Sequence, residues 1–207
     1  ECSMWEAIEK IVEKYPNYTA YIFMGKKTTY KEFAQNVEIC ARALKAIGIR
    51  VGDRITICMP NCPQTVIMFY AVNLVGAVAN MVHPLSSERE IEFYIKESKS
   101  IAAITLDQFY HKFEAIRENV ELSNIIIARI KDELSKPIRA GYMLTEGRKI
   151  KKIPKDAPVT IWNYFMDQGR HYHWKYRAVR DPHDPAVILY SGGTTGVTKG
   201  ILLSNYN

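Results

Sequence analysis

A mostly parallel α/β sheet with helices on both faces is the fold class predicted for this 207-residue chain. Three observations predict it. Apolar runs of strand length alternate with segments whose apolar residues recur at helical spacing. Those runs are nearly all apolar, as expected of strands covered on both sides. Regular strand–helix alternation suits parallel strands joined by crossover helices. A chain of this length hides roughly 70% of its unfolded surface on folding, enough for a substantial core. No internal repeat or low-complexity tract interrupts it.

The elements follow in order. Met4–Tyr15 reads as a helix with Trp5, Ile8, Ile11 and Val12 on one stripe. Thr19–Met24 and Thr28–Tyr30 read as a hairpin around Gly25-Lys26-Lys27. Lys31–Ile47 is the clearest amphipathic helix: Phe33, Val37, Cys40, Ala41 and Leu44 share one face, and Gly48 ends it. Gly52-Asp53 turns into a strand over Arg54–Met59. A helix over Pro63–Val75 leads to a strand over Ala77–Val82. Then come a helix at Glu88–Ser98, a strand at Ile101–Leu106, a helix at Gln108–Val120 and a strand at Asn124–Ile130. Two late apolar runs, Ala186–Leu189 and Ile201–Leu203, predict strand–loop–strand.

Between those late runs lies the most specific stretch of the chain, Tyr190-Ser191-Gly192-Gly193-Thr194-Thr195-Gly196-Val197-Thr198-Lys199-Gly200. Glycines let a backbone turn tightly and approach a ligand. Successive turned amides form a concave nest of N–H donors that suits phosphate. Ser191, Thr194, Thr195 and Thr198 add neutral donors, and Lys199 adds a point charge. A flexible Gly/Thr surface loop is the plainer reading of a generic stretch, but the full combination favours a polyphosphate cradle. Spacing excludes two commoner cradles. A Walker A loop needs Gly-Lys followed by Ser or Thr and then a helix; here Lys199 precedes Gly200, and Ile201 follows. Gly192, Gly193 and Gly196 do not give the G-x-G-x-x-G of a dinucleotide fingerprint.

Composition is that of an ordinary soluble protein, 47% hydrophobic and 24% charged, with a net charge of +6. No apolar run approaches the ~20 residues of a membrane helix, and no signal-peptide pattern opens the chain. The charge suits an anionic substrate and does not by itself call for nucleic acid. Cys2, Cys40, Cys58 and Cys62 make no disulfide framework or zinc spacing, so buried thiols in a reducing cytoplasm are expected. His171 and His173 lack companion ligands at useful spacing, and no residue is assigned to a metal. His83 and His111 are lone histidines of structural kind. The basic run Arg148–Lys155 could meet acidic lipid headgroups, but a solvated connecting segment is favoured. The ring-and-cation stretch Arg170–Arg177 could stack nucleic-acid bases, but a loop packing its rings on the domain surface is more economical.

Residues 190–200 resemble the phosphate loop of the adenylate-forming, or AMP-binding, superfamily of acyl-CoA synthetases, aryl-CoA ligases, luciferases and peptide-synthetase adenylation domains. That loop runs Tyr, Ser/Thr, Ser/Gly, Gly, Ser/Thr, Thr, Gly, any residue, Pro/Thr, Lys, Gly, and the chain fits each position. The family usually continues Leu-Ser-His-x-Asn, whereas here Asn205 takes the histidine's place. Weaker signatures precede it in the family's order: Thr29-Tyr30-Lys31-Glu32-Phe33, Val51-Gly52-Asp53-Arg54, and Gly76-Ala77 through Pro84-Leu85. The resemblance is good over residues 28–106 and 184–204 and thin over 130–180.

What the resemblance implies is a ligase that activates a carboxylic acid with ATP, forming an acyl-adenylate and pyrophosphate, and then passes the acyl group to coenzyme A. Ser191, Thr194 and Thr195 are then hydroxyl donors to the β- and γ-phosphates. Gly192, Gly193 and Gly196 allow close backbone approach, and Lys199 neutralises phosphate charge. Magnesium is implied, with its ligands downstream. The family's adenine-, ribose- and magnesium-binding elements and its C-terminal lysine are absent. Residues 1–207 are therefore expected to be a portion of the large N-terminal domain, inactive alone. A fatty or medium-chain acyl-CoA synthetase is the first choice, in the cytoplasm, with no transmembrane segment and with peripheral membrane contact left open. Aryl-CoA ligases and carrier-protein adenylation domains stay open. Two other classes compete: a non-catalytic phosphate-binding homologue serving as a partner or regulatory domain and, far behind, a nucleic-acid binder.

Overall fold

The computed structural model describes residues 2–179, 181–191 and 198–206. Seven strands form one sheet and two more form a hairpin. The hairpin pairs β1 (Thr19–Phe23) with β2 (Lys26–Thr29). The large sheet contains β3 (Arg54–Cys58), β4 (Val78–Met81), β5 (Ala102–Leu106), β6 (Asn124–Ala128), β7 (Thr160–Ile161), β8 (Pro185–Tyr190) and β9 (Gly200–Ser204). Its order is β7-β6-β5-β3-β4-β8-β9, parallel throughout except for β9, which runs antiparallel to β8. The predicted class is therefore the observed one.

Three helices begin with the same device. Ser3 caps α1 (Met4–Lys14), Thr29 caps α2 (Tyr30–Ala46), and Ser87 caps α4 (Glu88–Ser98). In each, the cap hydroxyl accepts from the backbone N–H three residues on, and that residue's glutamate accepts from the cap's own N–H. The reciprocal pair satisfies two donors that a helix start leaves open. Glu32 and Glu90 are accordingly held below the usual carboxylate range by the backbone N–H groups they accept from. The remaining helices are α3 (Pro63–Leu74), which starts on proline, α5 (Tyr110–Ile116), α6 (Lys136–Leu144) and α7 (Trp162–Arg170).

Two layers cover the sheet. On one face α1, α2, α3 and α7 pack Trp5, Phe33, Leu44, Met68 and Phe165 over Ile55, Ile57 and Ile104. On the other face α4 and α5 bring Ile91, Ile95 and Phe113 against Ala103, Ile125 and Ile127. Burying both faces explains why β5 and β6 are almost wholly apolar, with Thr105 and Asn124 as their polar residues.

Three expectations differ in detail. The hairpin turn is Met24-Gly25, with φ of 48° and 79°, so its second strand begins at Lys26 and not Thr28. Two left-handed residues give a two-residue turn whose twist matches the strands it joins. The helix expected over 108–120 is α-helical only at Tyr110–Ile116, flanked by 3-10 turns at 107–109 and 117–119. The third difference lies between 130 and 180, where the sequence reading placed no element. There α6, β7 and α7 form, and α7 buries Trp162, Phe165, Met166 and Gly169 against α2.

The ring-and-cation stretch behaves as a surface strap. Arg177 donates to Glu9 Oε1 at 2.6 Å and also to Glu38, joining the strap to α1 and α2. The Tyr176 ring packs against the core beneath the Arg42 guanidinium, 5.2 Å from the ring centre, while Trp174 stays 73% exposed. All four cysteines are free thiols, and Cys40, Cys58 and Cys62 are buried.

Candidate phosphate-binding site

Strand β8 lies beside β4 in parallel, with Ala79 opposite Val187 and Asn80 opposite Ile188. Tyr190 therefore leaves the sheet at the end where β3, β4, β5 and β6 also finish. In open α/β sheets the carboxyl ends of the strands are where ligands bind. The chain returns as β9, with Tyr190 paired to Gly200 and Leu189 to Ile201. The Ser191 N–H donates to the Lys199 carbonyl at 3.3 Å and closes the mouth of the loop. Ser191, Thr198 and Lys199 are thereby gathered at one end of a hairpin, as strand–loop–strand predicts. Ser191 and Lys199 are exposed, and Thr198 is half-buried. No carboxylate pairs with the Lys199 ammonium among the described residues. Gly192, Gly193, Thr194, Thr195 and Gly196 lie outside the described residues.

The loop's first residue is anchored by a contact that the sequence reading missed. The Tyr190 ring lies on the Tyr94 ring at 4.1 Å between centres, and its hydroxyl donates to the Tyr94 carbonyl at 3.2 Å. That carbonyl closes a buried polar network. Ser98 Oγ reaches it at 2.7 Å, and Asn80 Nδ2 joins Thr56 Oγ1 and Ser98 Oγ, each at 2.9 Å. Thr56 Oγ1 in turn donates to Ser100 Oγ at 2.8 Å. Thr56 and Asn80, polar residues within otherwise apolar strands, are wholly buried. Their position in those strands was the one signal that a polar network lay inside. Burial pushes the Tyr190 phenol up to about 12, so it stays a donor across the physiological range.

Gly200 completes the anchor. A Cβ there would meet Tyr190 Cε1 at 3.2 Å and Ile188 Cγ2 at 3.3 Å. A side chain would press on the ring that holds the loop down, which gives the last glycine of the motif a packing role.

Asn205, in the position where the resembled family has histidine, ties the end of β9 to the other side of the molecule. Its Oδ1 accepts from Asn73 Nδ2 at 2.7 Å and from the Met4 N–H at 3.2 Å, while Asn73 Oδ1 accepts from the Trp5 N–H at 3.3 Å. Asn205 therefore links β9, α3 and the first turn of α1. Among the described residues no group of three or more His, Cys, Asp or Glu side chains gathers in a way that could hold a metal ion. No helix among them is long and apolar enough to cross a membrane.

The structure is an α/β sheet in which β8 and β9, the strands flanking the glycine- and hydroxyl-rich sequence, meet at the carboxyl ends of the parallel strands. The AMP-binding enzyme family matches residues 8–207, and the chain belongs to that family. A long-chain-fatty-acid–CoA ligase of Bacillus subtilis is 32% identical over 195 residues, which cover 94% of this chain and 35% of that protein. One from Haemophilus influenzae is 27% identical, covering 99% of this chain and 37% of that protein. The chain thus spans about a third of the length of these curated relatives. Two solved structures share the fold. An anthranilate CoA ligase in complex with anthranoyl-AMP superposes with a TM-score of 0.79 at 20% identity, covering 99% of this chain and 35% of that one. A long-chain-fatty-acid-CoA ligase from Archaeoglobus fulgidus gives 0.75 at 19% identity, covering 99% and 36%.

Proposed function

We propose that the chain is part of an ATP-dependent acid–thiol ligase of the cytoplasm, belonging to its large N-terminal domain. The enzyme activates a carboxylic acid, a fatty acid first among the candidates, and transfers it to coenzyme A. The observation that carries this reading is the loop mouth. Ser191 and Lys199 are exposed together at the carboxyl edge of a parallel sheet, and the Lys199 ammonium has no carboxylate partner among the described residues. The names of the bacterial relatives support the choice of acid.

In the first step the acid's carboxylate attacks the α-phosphorus of ATP, the bond to the β-phosphate oxygen breaks, and pyrophosphate leaves with that electron pair. An anion approaches an anion, so the barrier is largely electrostatic, and fixed donors aimed at the developing charge lower it. Ser191, Thr194 and Thr195 supply hydroxyl donors to the β- and γ-phosphates. Gly192, Gly193 and Gly196 let the backbone come close. Lys199 neutralises charge as pyrophosphate forms. Magnesium supplies further charge neutralisation when bound. The thiol of coenzyme A then displaces AMP from the acyl-adenylate.

Lys199→Ala in the complete enzyme tests the assignment. Loss of one such donor costs about 100-fold or more in rate, so ATP–pyrophosphate exchange is expected to fall by that much with thermal stability unchanged. Exchange at the wild-type rate refutes the role of Lys199. A complete wild-type protein that exchanges with no acid of any length favours the non-catalytic homologue instead.

A further inference from the structure

At the same edge of the sheet, across from the phosphate loop, the segment after β6 folds into a cation-lined basin of about 500 Å³. Arg129 and Lys131 approach it from the end of β6, and Arg148, Lys151, Lys152 and Lys155 from the chain beyond α6. Among the described residues none of these six cations forms an ion pair. One carboxylate faces them, Asp107 at the end of β5, on which Arg129 and Lys131 act against the burial that raises it. The adjoining hollow of about 450 Å³ shares Asp107, Lys151 and Lys152 with the basin and adds Glu114, Glu146 and Lys149, the last paired with Glu146. Arg129, Lys131, Arg148 and Lys155 line the basin alone, away from Glu114 and Glu146.

Apolar side chains stand at its rim. Helix α6 buries none of its residues, and its last turn leaves Met143 41% and Leu144 63% exposed. Tyr142 and Met143 line the basin with Ile150 and Ile153. Gly147 holds the turn close, since a Cβ there would meet Met143 Sδ at 3.1 Å. A soluble anion has no use for exposed Met143 and Leu144. A surface of anionic headgroups with acyl chains beneath uses both parts, because basic residues attract the headgroups while neighbouring apolar residues enter the acyl boundary.

We propose that residues 129–155 form a docking surface for an anionic lipid membrane. Arg129, Lys131 and the cations of 148–155 engage headgroup phosphates, while Met143 and Leu144 insert. From β8 to β6 is four strand steps, about 19 Å at the usual ~4.8 Å spacing, so docking turns the carboxyl edge of the sheet, with its phosphate loop, toward the bilayer. The connecting segment anticipated at 148–155 connects and docks at once. The inference stands on charge and exposure and does not depend on the ligase reading.

Vesicle co-sedimentation of the protein tests it, with phosphatidylcholine vesicles either pure or containing phosphatidylglycerol. Binding is expected only to the anionic vesicles and to be lost at high salt. Lys151→Gln/Lys152→Gln should weaken it about 25-fold, at about five-fold for each charge near the surface. Met143→Ser/Leu144→Ser should weaken it about 100-fold, at about ten-fold for each large apolar side chain kept out of the acyl region. Both variants alter exposed side chains and should melt with the wild type. Equal binding to the neutral vesicles, or none to the anionic ones, overturns the proposal. So does a charge effect without an apolar effect, which would make the basin a site for a soluble polyanion.

Discussion

Replacing Gly169 by alanine tests how tightly α7 and α2 are joined, because there the two helices meet backbone to backbone. A Cβ at 169 would lie 2.1 Å from the Ile39 carbonyl oxygen, 2.8 Å from Ala43 N and 3.0 Å from Ala43 Cβ. The first distance is about 1.3 Å short of the 3.4 Å at which ordinary contact begins. Every atom it meets belongs to Ile39 or Ala43 within α2, and none is a flexible side-chain tip that could swing aside, so the helices must separate. Overpacking of this kind costs up to about 3 kcal/mol. Alanine returns at most about 1 kcal/mol through its better helix propensity. A net loss of about 2 kcal/mol follows, or a fall of roughly 4–8 °C in Tm for a chain of this size. Gly141→Ala is the matched control, since it lies on α6 with nothing within 4 Å of its Cβ and carries the propensity gain alone. Thermal unfolding by circular dichroism compares the two. A Gly169→Ala protein as stable as Gly141→Ala refutes the close approach of α7 to α2.

Two further outcomes are expected. Asn205→Ala removes the acceptor of Asn73 Nδ2 and of the Met4 N–H, and Asn73 is 1% exposed. Leaving a buried donor unmet costs about 1–3 kcal/mol. The loss should show in urea unfolding together with faster hydrogen exchange in the first turn of α1; wild-type exchange there would disprove the link. Burial pushes the Cys58 thiol up to about 12 and raises Cys40 and Cys62 as well. A raised thiol pKa leaves less thiolate at any pH below it, and the thiolate is the reactive form. At pH 8 a disulfide reagent should therefore titrate only half-buried Cys2 rapidly in the native protein, and all four thiols in urea; a second fast native thiol would contradict the burial.

Much of the fold was legible because its signals are local. The β3–β6 strands are mostly apolar runs, and α2 carries a full helical stripe. The Gly48 and Gly52 turns have φ of 92° and 84°, which glycine adopts without strain. The capping boxes at Ser3/Glu6, Thr29/Glu32 and Ser87/Glu90 were equally local and could have sharpened three helix starts. Helix α7 also had its signal, with Trp162, Phe165, Met166 and Gly169 spaced i, i+3, i+4, i+7. A glycine occupies the last position because the contact there is with backbone, and that broke the apolar pattern.

The sequence by itself determined the fold class and the elements outside 130–180, and it motivates the phosphate-binding role proposed for the 190–200 loop, since periodicity and motif spacing are properties of neighbouring residues. Strand order, the Tyr190–Tyr94 anchor, the three-way link at Asn205 and the basin at 129–155 were decided only in three dimensions. Each joins residues far apart along the chain: Tyr190 and Tyr94, Asn205 and Asn73, Lys151 and Arg129. Long-range partners are chosen by competition among all surfaces that must be buried together, and no window along the chain contains that competition.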